Sequence, residues 1–265
     1  MAFFLRDELV TNVTIDEEAL IQISQAFETR RPTMPLAQLP ADGLPDQVHL
    51  TYIIRFDNKG YRVFSLPDLL HHFRQADYVE RVFFTLESSQ SLRTNRIVGS
   101  LMELRLERHD PGRTAFLTAT ADAADWVDAS FSAVREVLGR HKNRNGWIRG
   151  AWTDLIIQVI GVFVGFVVSL WFASKIAPKL TIDNAFLISF FLVLLVFSNL
   201  WTFINQRLRA LVNMAFPNVS FYRPNRDGGH WLIQGLIVGI AGAVTLYLIG
   251  LLLSYVGQVL GTFVN

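Results

Sequence analysis

Apolar and polar positions alternate in short runs along the first 145 residues. After Gly150 they give way to long runs without charge. From Val48 to Phe56, residues Val48, Leu50, Tyr52, Ile54 and Phe56 fall on one side and His49, Thr51 and Arg55 on the other. That period of two predicts a half-buried strand. Asp57-Asn58-Lys59-Gly60 supplies a hairpin turn, and Tyr61–Phe64 returns. Val79–Leu86, Ile97–Leu106 and Thr114–Ala121 predict further strands, the last two joined by a turn at His109-Asp110-Pro111-Gly112. Leu20, Ile23 and Phe27 recur at helical spacing behind Thr14, the expected N-cap of a helix running to Glu28. Ser65 with Asp68 predicts a short second helix. Asp122 opens a last one, with Trp126, Phe131, Val134, Val137 and Leu138 along its inner side. Pro32, Pro35, Pro40 and Pro45 mark an extended linker. The order α-β-β-α-β-β-β-α predicts an α+β domain over 1–145, a mostly antiparallel sheet with helices on one face.

The second half changes period. Leu155–Ala173 and Ala185–Ile204 carry no charge, and a third uncharged run begins at Trp231. Each is long enough for a hydrocarbon core of roughly 30 Å. The expectation is an all-α transmembrane domain over 146–265, with three helices at about 152–176, 184–214 and 231–257. Lys175, Pro178, Lys179 and Asp183 make the first connector a tight turn. Asn205–Ala215 prolongs the second helix, and 216–229 reads as extended, broken by Pro217 and Pro224.

Charge sets the orientation. The chain has 265 residues and a net charge of +1, but residues 1–150 hold 18 of the 24 Lys and Arg and 20 of the 23 Asp and Glu. Arg135, Arg140, Lys142, Arg144 and Arg149 precede the first hydrophobic helix, and Arg207, Arg209, Arg223 and Arg226 separate the second from the third. Lys175 and Lys179 alone stand on the other side. Nine against two places the N-terminal domain and the second connector in the cytoplasm and the C-terminus outside, in a bacterial inner membrane. The short apolar start followed by Asp7 is wrongly flanked for a signal peptide. With no cysteine, disulfides and thiolate chemistry are excluded.

Two stripes stand out in the hydrophobic half. Asp154, Gln158, Gly161, Gly165 and Ser169 share one helical face. Gly235, Gly239, Gly242, Thr245, Gly250, Ser254, Gly257 and Gly261 follow the helical period through the third run. Small residues let backbones approach, within one three-helix unit or between copies of a homo-oligomer. Asp154 and Gln158 would form the polar face of any pore. Arg207, Phe216, Phe221 and Tyr222 are candidates for mechanical coupling, because the segment around them lies beside the short link from the last soluble helix to the membrane.

No nucleophile–base pair, metal-ligand spacing or phosphate loop is present, which disfavours an enzyme. His71 and His72 are adjacent, so on a helix they point apart. Ser88-Ser89-Gln90-Ser91 reads as a polar loop, with Arg93 and Arg96 nearby as anion-binding candidates. No cofactor or metal is expected, and near-neutral charge argues against nucleic acid. Membrane lipids, a second copy, and a cytoplasmic protein or small ligand are the expected partners. The leading reading is a membrane sensor–effector whose cytoplasmic domain controls an oligomeric membrane domain, by opening a pore or disturbing the bilayer. A passive anchor or scaffold comes next, then a membrane-bound enzyme.

Overall fold

The computed structural model describes residues 4–36, 45–108 and 115–223, together with six helical positions, 235, 236, 239, 243, 247 and 250. Strands β1 (Phe4–Leu9) and β2 (Val13–Ile15) lead into helix α1 (Glu17–Arg30). Then come β3 (Val48–Phe56), β4 (Lys59–Val63), α2 (Leu66–Gln75), β5 (Val79–Ser88) and the short α3 (Ser89–Arg93). They are followed by β6 (Leu101–Glu107), β7 (Phe116–Ala121), α4 (Ala124–Arg140) and the single turn α5 (Asn145–Ile148). Two long helices, α6 (Ala151–Ile176) and α7 (Ala185–Ala215), precede a final short strand, β8 (Val219–Phe221).

Six strands form one antiparallel sheet in the order β1-β7-β6-β5-β3-β4. The alternation of β3 decides which face is covered. Leu50, Tyr52, Ile54 and Phe56 are buried in the core with Phe84, Leu86, Leu104 and Leu106 from β5 and β6. Leu20, Ile23 and Phe27 of α1, Leu69 and Phe73 of α2, and Phe131 and Val134 of α4 complete that core. At its centre the Tyr52 hydroxyl lies 2.8 Å from Ser24 Oγ, so neither buried hydroxyl is unmet. The β3–β4 turn spans two residues, Asp57 and Asn58, with φ of 49° and 61°. Asp and Asn tolerate that left-handed backbone, which matches the twist of a hairpin.

Several local expectations shift. The side chain capping α1 belongs to Asp16, whose carboxylate accepts the Ala19 N–H at 2.8 Å. Thr14 is held in β2 instead, its N–H donated to His141 O. Helix α4 has Ala123 at its N-cap and no side-chain cap bond, so Asp122 does not cap it. Strand β6 begins at Leu101, because Asn95, Arg96 and Gly99 adopt positive φ and turn the chain before it. Ser89–Gln90–Ser91 lie in α3, capped by the buried Ser88. The His109–Gly112 turn lies outside the described residues.

Helices α6 and α7 pack as an antiparallel hairpin. At 1.5 Å per residue their 26 and 31 residues extend about 39 and 46 Å. Both are long and apolar enough to cross a membrane, and only 17% and 11% of their most apolar windows are buried. A helix of a soluble core shows the opposite exposure. The buried stripe of α6 is Gly161, Gly165, Ser169 and Ala173. A Cβ on Gly161 would overlap the Trp201 indole, and one on Gly165 would lie 2.6 Å from Phe197 Cδ1. These glycines therefore hold the two helices of one chain together. In the third expected helix, Gly235, Gly239 and Gly250 are helical, while Gly242, Gly257 and Gly261 lie outside the described residues.

Gly161→Leu should force α6 and α7 apart and cost about 1–3 kcal/mol by overpacking. Val162→Leu, on the exposed face, should be nearly neutral. Thermal unfolding of the detergent-solubilised chain, followed by circular dichroism, compares the two.

Candidate functional site

Strand β2 has only three residues, yet the chain entering the hairpin and the chain leaving it both pair with it. On one side it runs parallel to β8, with Val13, Thr14 and Ile15 opposite Val219, Ser220 and Phe221. On the other, Val13 bridges antiparallel to Lys142, just after α4. Successive N–H groups point to opposite sides: Val13 donates to Asn218 O at 3.1 Å and Thr14 to His141 O at 2.9 Å. Three asparagines close the joint. Asn218 accepts the Asn12 N–H at 2.9 Å and donates to Val10 O at 2.8 Å. Asn145 donates to Pro217 O at 3.1 Å, linking entry directly to exit, and Asn143 N–H donates to Asn12 O at 2.7 Å. Asn12 itself sits at φ 59°, a conformation Asn accepts. Gly146 fits beneath it, since an added Cβ would lie 2.5 Å from Asn12 Nδ2.

The return segment also enters the core of the sheet domain. Val219 and Phe221 belong to the same cluster as Val13, Ile15 and Phe73, so that fold extends beyond residue 145. Phe221 packs edge-on to Phe73 with ring centres 6.4 Å apart. Arg223 is buried and donates to the carbonyls of Ala76 and Asp77 behind α2. Of the coupling candidates, Phe216 and Phe221 are buried. Tyr222 is exposed while its N–H donates to Ile15 O at 2.9 Å. Arg207 lies on the outside of α7, over the Phe203 ring at 5.1 Å. Asp154 faces Arg209 across the hairpin at 3.5 Å, and Gln158 is exposed on its surface. The pair Asp154–Arg209 joins the first turn of α6 to the end of α7, where a carboxylate also suits the helix dipole.

A second feature lies on the sheet face that the helices leave open. A cavity of about 590 Å³ is set over β3, β5 and β6, roofed by the 89–99 segment. Its floor holds two buried carboxylates, Glu87 and Glu103. Arg96 reaches both: Nη1 donates to Glu103 Oε1 at 3.0 Å, and Nε lies 3.5 Å from Glu87 Oε2. Arg105 Nε donates to the other Glu103 oxygen at 3.0 Å. Glu103 is thus fully met, whereas Glu87 Oε2 is buried without a hydrogen bond. Burial pushes the Glu87 carboxyl above the ordinary glutamate value; Arg96 opposes the rise and Glu103 adds to it. Arg96, a residue of positive φ, is therefore committed to two carboxylates rather than available as a lone anion site. Arg93 donates to Pro45 O. The His71 and His72 ring centres lie 5.7 Å apart, and His72 stacks on Tyr61, ring centres 4.4 Å apart. Among the described residues no group of three His, Asp or Glu could hold a metal ion.

Glu87 and Glu103 escape a reading of motifs because they stand in different strands, and the other acid of each strand, Glu80 or Glu107, lies several residues away. The one available signal is that Thr85, Glu87 and Glu103 fall on the polar side of strands that a single helical layer covers. No protein-family model, no curated protein and no solved structure matches this chain.

The raised Glu87 carboxyl makes stability pH-dependent with a defined sign. Its contribution is full below the unfolded value, about 4.3, and is lost as pH rises through the folded value. Glu87→Gln removes that loss. Its melting temperature should match wild type near pH 4 and exceed it near pH 7; equal melting curves at both would refute the assignment.

Proposed function

We propose that the chain is a membrane sensor–effector in which a cytoplasmic α+β domain is joined rigidly to a membrane-crossing hairpin. The observation that carries the reading is the double pairing of β2 with both ends of the hairpin. A tether needs one connection and no register. Here both exits are fixed by hydrogen bonds to one strand, so a shift of α1 or α4 against the sheet is felt at α6 and α7 together. The exposure of the hairpin supports placing it in lipid. Trp152 and Trp171 are exposed, and their separation of 19 residues corresponds to about 28 Å of helix, close to a hydrocarbon core. Aromatic side chains favour those two interfaces. The nine-to-two distribution of Lys and Arg supports a cytoplasmic domain, a third crossing from Trp231 and an external C-terminus. Since Gly161 and Gly165 are used inside the hairpin, the glycines from Gly235 onward are the candidates for contact between copies.

Orientation is read by single-cysteine labelling, which the cysteine-free chain permits. In intact cells a membrane-impermeant maleimide should modify Thr181→Cys and spare Asn213→Cys; the reverse would invert the topology. Coupling is read by flexible insertions. A Gly/Ser spacer after Gly150 together with one after Ala215 should abolish the response to overexpression, measured as depolarisation or growth arrest, while insertion in the membrane persists. A double-spacer variant as active as a responsive wild type would reduce the hairpin to a passive anchor.

A further inference from the structure

The cavity over β3, β5 and β6 combines three features. The first is an acceptor with capacity left: Glu87 is 6% exposed and lines the cavity, and its Oε2 has the Arg96 ion-pair contact at 3.5 Å but no hydrogen bond. A buried carboxylate oxygen without a donor is costly, and a ligand N–H aimed at it forms a strong charge-assisted bond. The second is an excess of positive charge. Arg31, Arg62, Arg96 and Arg105 line the cavity against only Glu87 and Glu103. Arg96 and Arg105 are spent on the carboxylates and Arg31 pairs with Glu28 at 3.5 Å, whereas Arg62 forms no ion pair or hydrogen bond among the described residues and its charge acts on Glu87 only through space. The third is an open aromatic face. Phe64 stands exposed at the rim, whereas the Phe83 ring is already covered by the Arg81 and Arg105 guanidiniums, 5.4 and 5.3 Å from ring centre to Cζ. A cavity of about 590 Å³ is also of ordinary small-molecule size.

A donor-bearing flat ring with an anionic substituent meets all three demands. We propose that this cavity binds a nucleotide whose base carries an exocyclic amine. The amine donates to Glu87, the ring lies against Phe64, and the phosphate is taken by Arg62. Uracil is the informative exclusion. Its ring N–H is flanked by two carbonyl oxygens, which a carboxylate repels. This inference supplies the ligand of the sensor reading and rests on it. Binding and membrane response are measured separately, so nucleotide binding without a response would defeat the coupling and leave the site standing.

The test is calorimetric titration of the full chain in nanodiscs with GMP, AMP, CMP and UMP, and with guanosine and inorganic phosphate as partial ligands. At least one amine-bearing nucleotide should bind, with UMP about tenfold weaker or more, and guanosine and phosphate each weaker than the intact nucleotide. Arg62→Ala should weaken binding about tenfold, and Glu87→Gln should remove the discrimination against UMP. Phe64→Ala, at an exposed position that cannot unfold the core, should weaken binding independently of any effect on stability. The proposal is overturned if no nucleotide binds at about 1 mM, if UMP binds as well as the others, if phosphate alone equals the nucleotide, or if Phe64→Ala and Arg62→Ala both bind like wild type.

Discussion

Strand β2 is paired along both of its edges, and the rest of the structure follows from that. Its N–H groups go alternately to the segment that enters the hairpin and to the segment that leaves it. A buried amide left without a partner costs about 1–3 kcal/mol, so neither neighbour can drift while the strand stays covered. Asn218 then tightens the joint by meeting two further backbone groups from inside the core. Because Val219 and Phe221 contribute apolar area to the same core, each adding about 1.5–3 kcal/mol when fully buried, the hairpin's far end is part of the fold of the sheet domain. Two helices that share little with the sheet are thereby fixed at the ends nearest to it.

The sheet divides its labour by face. One face is covered by α1, α2 and α4 and is apolar apart from the Tyr52–Ser24 pair and the buried Ser130 of α4. The other carries charge deep enough to be shielded from water only by the turn that Arg96 anchors. Buried carboxylates are tolerated there because arginines stand beside them, not because the site stabilises the fold; such pairs often break even against apolar substitutes. A protein that keeps a desolvated Glu87 with an unmet oxygen pays for it in stability, and the turn from Asn95 to Gly99, with three positive φ values, adds to that cost.

Legibility in the sequence tracks how local each determinant is. The β3 alternation, the Asp57–Asn58 turn and the Ser65 cap depend on neighbours within a few residues, and all three are plain in the chain. The two long apolar helices are plain for the same reason. Strand β1 is obscure because Phe4, Leu5 and Leu9 are exposed at a sheet edge and mix with charge, giving no buried period. Strands β2 and β8 are too short to show any alternation, and their pairing joins residues about two hundred positions apart. Thr14 looks like a cap because capping and strand residues overlap in type; only the distant His141 carbonyl decides between them. The carboxylate pair is hidden likewise, since Glu87 and Glu103 meet only through strand register and a turn whose backbone is left-handed at Arg96.

The placement of Phe221 also governs the order in which the molecule can be made. A ribosome delivers residues at about 5–20 per second, so several seconds separate the end of α4 from the arrival of β8. Throughout that interval the groove between β2 and Phe73 stands open and its amides have no partner on that side. The hairpin is synthesised within the same interval. Completion of the sheet domain therefore waits on the delivery of the apolar helices, and a nascent chain whose hairpin is stalled or misdirected keeps an exposed seam that chaperones and proteases can read.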